Sequence, residues 1–224
     1  MAEIIVRGRA EARLDPTEAS LTITVQARAA GSQSEAVALC ARRAAEVDEA
    51  VDARRGGVVR RALTSSVRTG PEWDHTPRQG RQLRGYVATR TTDLACAPDG
   101  EALTALAGDL AAMVDVQVAG PRWSVAADAE GWDRIRAAAA VDARRRAGAY
   151  AEGLGLAVGR VVWLSEPGLR GDDGPQRRGA TFQAEAMMSR SAMADGGDEE
   201  PLVVRIVPEP VAVVVELEAA FDLG

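Results

Sequence analysis

Residues 139–161 read AAVDARRRAGAYAEGLGLAVGRV, and within them Ala139, Ala143, Ala147 and Ala151 recur every four residues. That spacing places the four alanines on nearly one face of a helix and leaves a shallow groove where a sheet or another helix can approach closely. The helix is predicted from Asp128 to about Leu154, with Trp132, Ile135, Tyr150 and Leu154 along it. Gly153 and Gly155 stop it, and Val161, Val162 and Leu164 restart a strand. These glycines end a helix instead of opening one, which is the wrong context for cradling phosphate.

Toward the C-terminus, residues 168–200 dissolve into Gly, Asp, Arg, Ser and Met and are expected to form a long mobile loop. Regular structure is expected to return at Leu202 to Val207. The chain then closes on Val211, Val213, Val215, Leu217, Ala219 and Phe221, whose period of two marks a well-buried strand.

Toward the N-terminus, Ile4 to Arg13 and Ser20 to Ala27 read as strands joined by a turn at Asp15-Pro16, which suggests an antiparallel hairpin with one wet face. Ser32-Gln33-Ser34-Glu35 is a capping-box pattern, so a helix should follow, with Val37, Cys40, Ala44, Val47 and Val51 as its apolar stripe. Gly56-Gly57 ends it. Val58 to Thr69 and Leu83 to Cys96 are predicted strands separated by a turn-rich loop from Gly70 to Pro77. Asp99 can cap a second helix carrying Leu103, Leu106 and Leu110, followed by strands around Val114 to Val118 and Arg122 to Ala126. The expected order is ββαββαββαβ, loop, ββ. Hairpins mixed with three helices favour an α+β fold with antiparallel or mixed sheets over a doubly wound parallel sheet. The chain, residues 1–224, is expected to form a single domain of one lobe or two packed lobes.

Composition narrows the function classes. All 27 basic residues are Arg, and neither Lys nor Asn occurs, a bias expected of a GC-rich bacterial genome that weakens any argument from Arg enrichment. The net charge of −6 opposes a dedicated nucleic-acid binder, which would need a basic face. Clusters such as Arg144-Arg145-Arg146 and Arg177-Arg178 then read as solvated surface. No apolar stretch approaches the roughly 20 residues that a membrane-spanning helix needs, so no integral membrane segment is expected. The start runs from Met1 straight into Ile4-Ile5-Val6 without an export signal, and with only Cys40 and Cys96 the expectation is a cytoplasmic protein.

Four segments together resemble the SIMPL family, also called DUF541, of bacterial periplasmic and surface proteins with a few cytoplasmic relatives. Ile5-Val6-Arg7-Gly8-Arg9-Ala10 through Asp15-Pro16 is similar to the family's opening V-x-G-x-G strand and turn, with Ala10 in place of the second Gly and the Pro-Asp order reversed. Gly85-Tyr86-Val87-Ala88 resembles its GY-x-A strand. The stretch from Ala139 through Val161 to Ser165-Glu166 resembles its Ala- and Gly-spaced helix and strand, and Pro210 to Phe221 its last strand. The resemblance implies no agreed catalytic residues, ring-like or channel-like homo-oligomers in some members, an association with stress responses in others, and partnership with a signalling kinase in one.

No catalytic, cofactor-binding or metal-ligating residue is assigned. His75 is the single histidine, so a multi-His metal site is excluded and a Ser-His-Asp triad could be built only around it. Trp73-Asp74-His75 could form a small recognition patch, or be merely solvated. Cys40 sits within an apolar stripe, as a small hydrophobe. Asp172, Asp173, Asp195, Asp198, Glu199 and Glu200 could hold a hard cation, but their spacing matches no calcium loop. Phe182, Met187, Met188 and Met193 could become ordered against a partner. The leading expectation is a non-enzymatic homo-oligomer without cofactor. The alternatives are an adaptor that binds a protein partner through residues 168–200, and a hydrolase-like enzyme with dispersed residues, for instance around Asp74 and His75.

Overall fold

A computed structural model describes residues 2–76, 80–169 and 205–224, with side chains described outside 75–81. The chain runs β1 (Ala2–Leu14), β2 (Glu18–Ala29), α1 (Gln33–Asp52), β3 (Val59–Thr76) and β4 (Gly80–Cys96). It continues as α2 (Gly100–Ala111), β5 (Val116–Ser124), α3 (Gly131–Gly153), β6 (Val158–Ser165) and β7 (Val211–Leu223). The fold is α+β, with two antiparallel sheets and three helices. Two compact units divide the chain.

One unit holds the sheet β1-β7-β6 and α3. β7 carries the expected period of two: Val213, Val215, Leu217, Ala219 and Phe221 are buried on one face. It pairs with β1 without a register shift, from Ala2 opposite Leu223 to Leu14 opposite Val211. The helix covers that face with Trp132, Ile135, Ala139, Ala143, Ala147 and Ala151, all buried. Gly8 shows how close the approach is. A Cβ there would lie 2.1 Å from the Ala139 carbonyl oxygen and 2.8 Å from the Ala143 Cβ, so a larger residue at 8 would push helix and strand apart. The small-residue groove of α3 is therefore filled by the unit's own sheet. On the open face, Arg7 donates to Glu218 at 2.8 Å, and Trp163 Nε1 donates to Glu3 at 3.1 Å.

The other unit holds the sheet β3-β4-β2-β5 with α1 and α2. Leu21, Ile23 and Val25 of β2 and Leu94 and Cys96 of β4 form its core with Cys40, Val47 and Val51 of α1 and the three leucines of α2. Both helix starts follow their sequence signals: Ser32 Oγ accepts the Glu35 amide at 3.2 Å, and Asp99 accepts the Glu101 and Ala102 amides at 3.1 Å each. Within the α1 stripe Ala36 takes the buried place expected of Val37, which is exposed.

Four further expectations need correction. β1 and β2 do not pair with each other: β1 pairs with β7, and β2 lies between β4 and β5. Alternation fixes which face of a strand is buried but carries no information about its neighbour. The loop expected at 70–77 is strand through Thr76, because β3 and β4 form one long hairpin. Pro71 is tolerated there since β3 is an edge strand, where a missing amide breaks no ladder bond on the outer side. The two strands expected around 114–126 are one, β5, in which a register shift opposite Ser20 and Thr22 accommodates Gly120-Pro121. Residues 205–210 form no strand; Ile206 is instead held against α2, its amide donating to Thr104 Oγ1 at 2.9 Å. The loop at 168–200 lies outside the described residues past Leu169, together with its acidic and Met side chains.

Candidate functional site

The two cysteines are packing residues. Cys40 Sγ lies 3.7 Å from the Val25 carbonyl in the core of α1 and β2, and burial pushes its thiol up. Cys96 is fully enclosed, and burial pushes its thiol to about 11. A thiol that cannot ionise near neutral pH and cannot be reached is a poor nucleophile.

Asp74 and His75 fall near the end of the β3–β4 hairpin, in register with Gln82 and Arg81. Successive residues of a strand point to opposite faces, so this pair does not converge on one substrate position. The His75 side chain lies outside the described residues. Among the described residues no three His, Cys, Asp or Glu side chains are grouped to hold a metal ion.

Charged residues do gather in a cleft of about 250 Å³ between α1 and the β3–β4 ladder. Arg90 grips Asp48 with two hydrogen bonds of 2.7 and 2.8 Å and donates to Thr64 Oγ1 at 3.0 Å, while Arg55 bonds Asp52. Both cations in the cleft are already matched by carboxylates, so it presents no free charge to a ligand. A second open cleft, about 330 Å³, lies beside Arg54, Val58 and Ala102. Arg54 is likewise engaged, by the Ala50 carbonyl and Asp109.

The most perturbed carboxylate is Asp142 on α3. It accepts Arg145 and Arg146 at 2.7 Å each and the backbone amide of Arg9 at 3.0 Å. The Arg145 bond first, then the Arg9 amide, holds its carboxyl down at about 2. The amide of Arg9 belongs to the outer side of β1, so Asp142 covers an edge of the sheet. Sequence reasoning missed this residue. Its signal was an Asp followed by Arg at the third and fourth positions on a helix.

The four sheet edges are protected unequally. β1 is covered at Arg9 by Asp142. β3 carries Pro71, Arg60, Arg61 and Arg68 and three register shifts. β5 carries Pro121 and Arg122 with one shift. β6 has two shifts but no proline, and Arg160 is its one charged residue. Val161, Val162 and Leu164 of β6 are 47 %, 47 % and 54 % exposed. Charges, prolines and bulges on edges prevent pairing with other chains, and β6 has the fewest of them. Leu63, Val67 and Leu83 add exposed apolar surface on the β3–β4 hairpin.

Among curated proteins no match to the chain was found. The family model described as SIMPL, protein of unknown function (DUF541), matches residues 4–221. That span takes in all four segments whose spacing suggested the family, with Gly8 and the alanines of α3 now seen as two sides of one contact. The chain belongs to the SIMPL (DUF541) family.

Proposed function

We propose that this SIMPL-family chain is a non-enzymatic protein that acts by associating with copies of itself. The observation that carries this reading is the set of apolar side chains left exposed on strands: Leu63, Val67 and Leu83 on one hairpin and Val161, Val162 and Leu164 on β6. Contiguous apolar surface on sheet edges marks an interaction surface in a soluble protein. The enclosed thiols and the matched Arg and Asp pairs of the clefts support a non-catalytic role, since neither supplies an activated nucleophile or a free general base.

The α3 alanine groove plays no part in the interface, because its alanines are buried against β1 and β7. Light scattering over a concentration series tests the proposal. The mass should rise above that of one chain with concentration; a mass that stays at one chain throughout would refute it.

A further inference from the structure

Pairing of strands across a two-fold axis demands a sequence that complements its own reverse. The β6 region from Arg160 to Glu166 reads Arg-Val-Val-Trp-Leu-Ser-Glu, with Trp163 at its centre. If two copies lie antiparallel with the axis at Trp163, Val162 of each faces Leu164 of the other, and Val161 faces Ser165. Arg160 faces Glu166, twice by symmetry. Directly opposed residues project from the same face with Cβ atoms about 5 Å apart, close enough for the apolar pairs to touch and the charges to attract.

The side chains are available for this. Val161, Val162 and Leu164 are exposed, and so is Glu166. Arg160 donates its Nε–H to Asp222 at 2.9 Å, yet its side chain remains 81 % exposed. β6 is the terminal strand of the described sheet, and Trp163 to Ser165 keep a plain register against β7. Shifting the axis by half a residue, between Val162 and Trp163, would set Arg160 against Ser165 and lose both charge pairs. A two-fold contact of this kind uses the same patch on both partners, so it closes on itself.

We infer that β6 is a homodimer interface, in which two copies join edge to edge in the register that sets Arg160 against Glu166 and Val162 against Leu164. The result is one antiparallel sheet of order β1-β7-β6-β6-β7-β1, within the usual range of sheet sizes. This inference rests on the self-association proposed above and names the surface responsible.

The test compares the full-length wild-type chain with Arg160→Glu, Glu166→Arg and the double variant by analytical ultracentrifugation, with circular dichroism as a check of folding. Each single swap turns two attractions into two repulsions, which at exposed sites should raise the dimer dissociation constant about tenfold. The double swap restores opposite charges and should return it to within about threefold of wild type. Single swaps without effect on a self-associating chain would overturn the β6 interface and leave self-association standing. Single swaps that weaken it without rescue in the double variant would overturn the stated register. A wild type that stays monomeric would overturn both proposals. Hydrogen exchange of the wild type gives a reading free of any folding defect: amides of 161–165 should gain protection as concentration rises through the association range. Unchanged protection there while the chain associates would also overturn the interface.

Discussion

Gly8 and Asp142 show what single residues contribute to the β1-β7-β6 unit. Gly8 permits contact, because any side chain at that point would meet the Ala139 carbonyl and the Ala143 methyl. Gly8→Ala should lower the urea midpoint by an amount equivalent to about 1–3 kcal/mol, the usual cost of forcing one extra carbon into a packed site. An unchanged midpoint would mean that helix and strand are not held this closely.

Asp142 joins the same two elements through charge. Its carboxyl is held at about 2, below its ordinary value of 3.8, so the folded state favours the ionised form. A carboxylate depressed on folding stabilises at pH values above its unfolded pKa, and that contribution is lost as pH falls from about 4 through about 2. The urea midpoint of the wild type should therefore exceed that of Asp142→Asn at pH 6, and the gap should close as pH drops through this window. A gap independent of pH would show that the carboxylate charge is not what matters. Cys40 and Cys96, enclosed and with thiols pushed up, should react with a thiol reagent only on unfolding; rapid labelling of the native chain would contradict their place in the core.

At the scale of elements, α3 is the clearest case of a pattern with one purpose. Ala143 is buried against the sheet and Ala149 is exposed. Ala143→Val should destabilise by about 1–3 kcal/mol through overpacking, whereas Ala149→Val should cost only the few tenths due to helix propensity. Equal effects, measured by thermal unfolding, would rule out the directional stripe. This stripe was legible in the sequence because helical spacing maps directly onto a face, and the starts at Ser32 and Asp99 were legible because capping is local chemistry. Pairing was not. β1 and β2 alternate similarly, and the covering face rather than the alternation assigns one to β7 and the other to β4 and β5. Gly70 and Pro71 suggested a turn because both residues break central strands, and nothing local announces that β3 is an edge. The protection of β1 by Asp142 needed the three-dimensional placement of Arg9, more than a hundred residues earlier in the chain.

For the whole molecule, the residues that make the family recognisable are largely those that let backbones meet: Gly8, the α3 alanines, and Gly85, where a Cβ would lie 2.6 Å from the Ala29 carbonyl oxygen. They specify the fold and supply no reagent. Any role beyond folding must then lie on the surface, where the exposed apolar strands are the feature least expected of a lone soluble chain. Native mass spectrometry of the intact chain tests that claim most directly. The account predicts a dominant species of two or more chains whose share falls on dilution, and a spectrum showing only single chains at every concentration would contradict it.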